Sequence, residues 1–272
     1  MEKHKRRFTW AIGRVALLCV AAAMAGSSAG ADETFYCNRY ITTVPYVIRQ
    51  PGHYCLIGNL TTAMASGVAI TIAADFVWVD LNNYALDGSA AGLGTAARGI
   101  AEEGQKHVTV RNGTVRGFRE GIFFGIPGSG AEALTIEGIQ ADRNTREGIS
   151  IEAPGEDNVV RGNRISNTGG TTFTNLTGIT GLSVVGDVSV IDNEIVNTFS
   201  PPGNQAYGII FSGTPSASYK AVVVNNRVTK SSNAGIACYQ PAGEVILRDN
   251  IVVGAPLPYD GACTPIGTTN YP

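Results

Sequence analysis

The chain is poor in histidine: three in 272 residues, one of them, His4, inside a basic N-terminal stretch. Proton relays and metal centres built on imidazole therefore have only His53 and His107 to draw on. No Cys-x-x-Cys pair occurs, which removes the common zinc and thiol-redox spacings. Phosphate-loop and dinucleotide-binding glycine patterns are missing, as is any Ser-His-Asp grouping. Charged residues are 15% of the chain, and no uncharged apolar run reaches the roughly 20 residues a membrane-spanning helix needs. Helical periodicity is absent too, because the apolar segments are short, β-branched and broken by Gly and Asn. What is present instead is a succession of short strands.

The N-terminus has the features of a cleaved leader. Lys3, Lys5, Arg6 and Arg7 precede the apolar run Val15 to Ala25, and Ala29-Gly30-Ala31 supplies small residues for cleavage. A signal peptide over 1–31 is expected, with export to the periplasm or outside the cell and no retained membrane span. Removing its five basic residues and one acidic residue leaves 15 basic against 21 acidic, a net charge of −6. That balance argues against nucleic acid or an anionic membrane as partner, since both want a positive surface. A monomer is the expected assembly.

Cys37, Cys55, Cys238 and Cys263 remain after the leader, and four cysteines allow three pairings. If the fold keeps sequence neighbours close, Cys37 with Cys55 and Cys238 with Cys263 close short loops at opposite ends. An oxidising compartment permits both.

A ladder recurs through the chain: V-T-V-R-N-G-T-V (108–115), L-T-I-E-G-I-Q-A (134–141), N-V-V-R-G-N-R-I (158–165), V-S-V-I-D-N-E-I (188–195), A-V-V-V-N-N-R-V (221–228) and V-I-L-R-D-N-I-V (245–252). Gly-Ile pairs precede most copies, at Gly99, Gly121, Gly148, Gly178, Gly208 and Gly235, spaced 22, 27, 30, 30 and 27 residues apart. Such periods mark a solenoid with loop insertions. Val110, Ile136, Val160, Val190, Val223 and Leu247 align as one inward column, and Val115, Ala141, Ile165, Ile195, Val228 and Val252 as another. A turn column of Asn83, Gly113, Ile139, Asn163, Asn193, Asn226 and Asn250 suits left-handed backbone and stacked amides, with Ile139 out of pattern. The divisions expected are a cap with opening strands over 32–67, the coil over 68–255 and a C-terminal tail over 256–272.

This arrangement resembles the right-handed parallel β-helix proteins, the single-stranded coil shared by pectate lyases, polygalacturonases and alginate epimerases. The likeness covers about 52–255, and Gly52-His53-Tyr54-Cys55-Leu56 with Ile70-Thr71-Ile72 and Val79-Asp80-Leu81 is similar to the opening coil of exported bacterial members. The fold implied is all-β, a β-solenoid of about eight coils. The fold hosts lyases, hydrolases, isomerases and non-catalytic adhesins. The Asn-Thr-Asp, Gly-His-Gly and Arg-Ile-Lys segments of polygalacturonases and the Asp-Pro-His run of epimerases are absent.

Two outward stripes carry charge. Arg111, Glu137 and Arg161 form one; Arg164, Glu194 and Arg227 form the other, on rungs about 4.8 Å apart. They are either ion pairs along an exposed sheet or an anionic-sugar site, in which arginines hold carboxylates and one group moves a proton. On the second reading Arg111, Glu137, Arg161 and His107 are the catalytic candidates. Arg116, Arg143, Arg146, Arg164, Glu194 and Arg227 would then bind the substrate. Glu120, Asp142 and Glu147 are candidate calcium ligands, or solvated turn residues. Tyr207, Tyr219, Tyr239, Phe199 and Phe211 flank the later loops, to stack on sugar rings or to plug loop bases. The function expected is a polysaccharide lyase or epimerase on an acidic polymer, against the alternative of a non-catalytic structural or adhesive protein.

Overall fold

The computed structural model describes residues 37–126, 129–174, 178–212, 219–239 and 244–263. The leader expected over 1–31, most of the loop before Tyr219 and the last nine residues lie outside them.

The strands stack in three parallel sheets. The first runs from Tyr46–Ile48 through Val68–Ile72, Arg98–Glu102 and Glu120–Phe124 to the early parts of Glu147–Arg161 and Ile179–Ile191, then Ala206–Ser212, Ala234–Tyr239 and Leu257–Gly261. The second starts at Arg39–Ile41 and ends at Glu244–Arg248, carrying the first half of each ladder copy. The third carries the second half, from Leu60–Thr61 to Ile251–Val253. Nine, nine and eight strands stack in them, in keeping with about eight coils. The one helical element among the described residues is a 3-10 turn at Ser89–Ala91, so no described helix is long and apolar enough to cross a membrane.

Both aligned apolar columns are buried, from Val110 to Leu247 and from Val115 to Val252. Period-two alternation puts them inside, and stacking merges short strands into one core. The imperfect copy also points inward: buried Asn158 accepts from Leu134 N–H at 3.1 Å and donates to the carbonyls of Gly155 and Asp187 at 2.6 and 3.1 Å. It thereby satisfies the backbone beside a register shift between Ala153 and Asn158.

The Asn column differs from the expectation. The left-handed residue is the one ahead of it, at Asn112, Gly138, Gly162, Asp192, Asn225 and Asp249. The column residues themselves turn inward. Asn163 donates to Asn193, Asn193 to Asn226 and Asn226 to Asn250, each at 3.0 Å, while their second N–H bonds reach the carbonyls of Ile136, Val160 and Val190 at 2.9 Å. Because the column carries no left-handed angle after Asn83, Ile139 fits it as a buried apolar side chain.

The glycine column is also corrected at one place. Glu147 pairs with Thr180 and Ile149 with Leu182, so the partner of Gly148 is Gly181 rather than Gly178. A Cβ on Gly148 would sit 2.3 Å from Ile165 Cγ2 and 2.7 Å from the Gly181 carbonyl, so this corner has no room for one. At Gly178 the nearest atom would be 3.3 Å away. Cys37 is bonded to Cys55 and Cys238 to Cys263, tying the two ends of the coil.

Candidate functional site

Each corner glycine of the first sheet is preceded by an outward residue, and parallel register stacks these residues. Arg98, Glu120, Glu147, Thr180, Tyr207 and Ala234 form this column. Glu120 lies almost wholly buried among guanidinium groups: Arg98 Nε at 2.5 Å, Arg146 Nη1 at 3.1 Å and Arg119 Nη1 at 3.5 Å. Arg98 also lies over the Phe123 ring at 3.8 Å and reaches Glu103 at 3.5 Å. Arg146 is shared, with its Nη2 3.3 Å from Glu147 Oε1.

Beyond this cluster the face opens into a cleft of about 580 Å³, with Arg146, Glu147, Glu152, Thr180, Tyr207 and Tyr239 among its lining. Its polar groups are incompletely matched. Glu147 Oε2, Arg146 Nε and Thr180 Oγ1 are buried without a hydrogen-bond partner. Burial pushes the Glu147 carboxyl up to about 7, with Arg146 opposing the shift and the charges of Glu120 and Glu152 adding to it. Burial also raises Glu152, again helped by Glu120. The Ser150 hydroxyl donates to Glu152 Oε1 at 3.5 Å. Opposite, Tyr207 and Tyr239 meet edge to face at 5.6 Å. Tyr207 donates to Gln205 at 2.5 Å and Tyr239 to Asp260. Burial first, then the bond to Asp260, raises the Tyr239 hydroxyl well above its ordinary value, so it stays protonated.

A family model described as a right-handed β-helix region matches residues 98–270, which is more than half of the chain. The chain belongs to the right-handed β-helix family. Among solved structures this β-helix is similar to pectate lyase Pel9A, at 11% identity and a TM-score of 0.55 over 86% of this chain and 69% of that one. It also matches the catalytic domain of a GH87 α-1,3-glucanase in complex with nigerose, at 12% identity and a TM-score of 0.45, over 86% of this chain and 63% of that one. The A-module of mannuronan C-5 epimerase AlgE4 from Azotobacter vinelandii matches at 12% identity and a TM-score of 0.29, covering 80% and 85%. At these identities the likeness is one of fold. No curated protein matches in sequence.

The β-helix brings together only part of the residue set chosen from sequence. Glu120 and Glu147 are register neighbours, and Arg146 bridges them. Asp142 is on the third sheet, held by Arg143 and Ser166 at 2.8 Å and by Asn167 at 3.0 Å. Burial works to raise its pKa, but those bonds prevail and lower it. Among the described residues no three His, Cys, Asp or Glu groups converge to hold a metal ion, so Glu120, Asp142 and Glu147 do not form the calcium set envisaged.

The stripes lie on the other two sheets. Arg111 turns to Asp80 at 3.0 Å instead of Glu137, because Asp80 is its register neighbour on the other side. Glu137 takes Arg161 at 2.5 Å, Arg116 takes Asp87 at 2.7 Å, and Arg164 takes Glu194. Arg227 is the next register neighbour of Glu194. His107 stacks on the exposed Phe76 ring at 4.6 Å.

Arg98, Arg119, Glu152 and Thr180 went unselected in the sequence reading. Arg98 and Thr180 had a usable signal: each directly precedes a corner glycine, as Glu120 and Glu147 do. Glu152 had none, since its place in the cleft comes from the strand's path past the corner.

Proposed function

We propose that this β-helix is an exported carbohydrate-active protein whose working site is the cleft on the outer face of the first sheet, with Glu147 moving a proton to or from the sugar. The observation that carries this reading is Glu147 Oε2, a buried carboxyl oxygen in a cleft-lining residue with no protein partner. A buried polar atom is normally satisfied, and an orphan at a cleft is where a ligand group belongs. With its carboxyl near 7, Glu147 can give or take a proton close to neutral pH. Tyr207 and Tyr239 offer ring surface with polar tips, which suits the mixed faces of sugars. Two disulfides support the exported setting.

Lyase or epimerase chemistry, expected from the sequence, would use ionised Glu147 as the base that removes a proton next to a sugar carboxylate. The tyrosine wall also fits a protein that binds glycans without turnover. Assaying the full chain against uronate and neutral polysaccharides, with binding followed by calorimetry, tests the reading. Expected are binding or turnover that Glu147→Gln and Tyr239→Ala both reduce at unchanged folding. Failure of every polymer to bind or react removes it.

A further inference from the structure

The charges around the cleft select among polymers. Three arginines sit on this face, but each is already engaged: Arg98 by Glu120 and Glu103, Arg119 by Glu120, and Arg146 by Glu120 and Glu147. Only Arg146 lines the cleft, where it faces Glu147 and Glu152. Downstream, the segments 165–219 and 231–247, which include the first-sheet strands of the cleft wall, contain no arginine or lysine. A polymer carrying a carboxylate on every ring would meet the Glu152 carboxylate and one guanidinium already shared between Glu120 and Glu147. Like-charge juxtaposition in a half-enclosed site is unfavourable.

The same two carboxyls have a use for an uncharged polymer. Ser150 donates to Glu152 Oε1 at 3.5 Å, and the Glu147 and Glu152 side chains line the same cleft. Two carboxyl groups beside one scissile bond are what glycosidic hydrolysis needs, one protonated and one ionised. Glu147 has Oε1 on Arg146, which leaves Oε2 to carry the proton; Glu152 is the more exposed of the pair and the one open to water.

Resting on the cleft as the working site, we propose that its substrate is an uncharged polysaccharide, and that it hydrolyses the glycosidic bond with Glu147 as the acid and Glu152 as the base. The bond between the anomeric carbon and the bridging oxygen breaks, and its electron pair stays on that oxygen, which takes the proton from Glu147. A water oxygen bonds to the anomeric carbon and its proton passes to Glu152. Exchange with solvent restores both groups.

The test is the full chain incubated with dextran, soluble starch, mixed-linkage β-glucan, galactomannan and xylan, and in parallel with alginate and polygalacturonate. New reducing ends and the absorbance of unsaturated uronates are both followed, along with uronate epimer composition. The expected result is reducing ends from at least one uncharged polymer, with kcat lowered about 100-fold or more in Glu147→Gln and in Glu152→Gln while the unfolding midpoint of neither variant falls. Activity confined to the uronates would overturn the substrate class and leave the cleft reading standing. Binding to uncharged glycans without new reducing ends would overturn the hydrolysis. No binding and no turnover with any polymer would remove both readings.

Discussion

The asparagine ladder and the first-sheet cleft are both rows of polar side chains stacked by the same parallel register, yet they are finished differently. From Asn163 to Asn226 each ladder amide donates to the next amide and to a carbonyl, and each oxygen in the row accepts from its neighbour. In the cleft, Glu147, Arg146 and Thr180 each keep an atom without a partner. Repetition with complete satisfaction marks scaffold, since buried polar atoms left unpaired destabilise a fold. Orphaned atoms also occur elsewhere in the coil, at Glu102, Thr168, Thr198 and Thr229 among others, but in the cleft three of them line one open hollow, where a bound group can reach them.

Removing a ladder member gives the largest expected effect. Asn193→Ala strips partners from Asn163, Asn226 and the Val160 carbonyl together, and should destabilise by about 4 kcal/mol. Urea unfolding measures it, and a loss under about 1 kcal/mol would show that the amide row is not what holds the turns.

Next comes the cleft's buried acid, where the sign depends on pH. A carboxyl raised from 4.5 to about 7 keeps its proton longer in the native state than in the unfolded chain. Stability is therefore highest below 4.5 and falls as pH climbs to about 7, against a background set by Arg146, Glu120 and Glu152. Glu147→Gln removes the ionisation and should be worth about 3 kcal/mol of added stability at pH 8 but little at pH 4. Chemical denaturation at the two pH values checks this; equal effects at both would mean that the side chain is not desolvated.

Gly148→Ala should lose about 2 kcal/mol by forcing a methyl against Ile165 and the Gly181 carbonyl, whereas Gly178→Ala should be nearly neutral. Thermal unfolding of the pair tests the register directly, and the reverse order would restore Gly178 to the corner column. The smallest effect belongs to the outer stripes. A double-mutant cycle on Arg161 and Glu137, an ion pair at 2.5 Å whose arginine is largely exposed, should give a coupling of about 1 kcal/mol or less. A larger coupling would argue that this stripe is more than a solvated face.

The columns Val110 to Leu247 and Val115 to Val252 and the coil period were legible because period-two alternation repeats at each rung, and the disulfide pairs because a coil keeps sequence neighbours close. Glu120 and Glu147 were legible for a related reason, as both directly precede a Gly-Ile pair. Gly178 misled because two Gly-initiated pairs, Gly178-Ile179 and Gly181-Leu182, stand three residues apart, and only hydrogen-bonded register separates them. The stripe of Arg111, Glu137 and Arg161 was legible as a column but not as a site. Column position says which residues are neighbours along the axis, and a side chain with two neighbours still chooses one, as Arg111 chooses Asp80.

The amino-acid sequence on its own determined that this chain coils into stacked parallel strands and which residues face inward, because these follow from local alternation repeated at a near-constant period. Only the tertiary structure decided which outer face is hollow and which acid there is starved of water. Both depend on loops of unequal length and on residues such as Arg98, Arg119 and Glu152, brought together across several coils by the path of the chain at its corners, where no local period is kept.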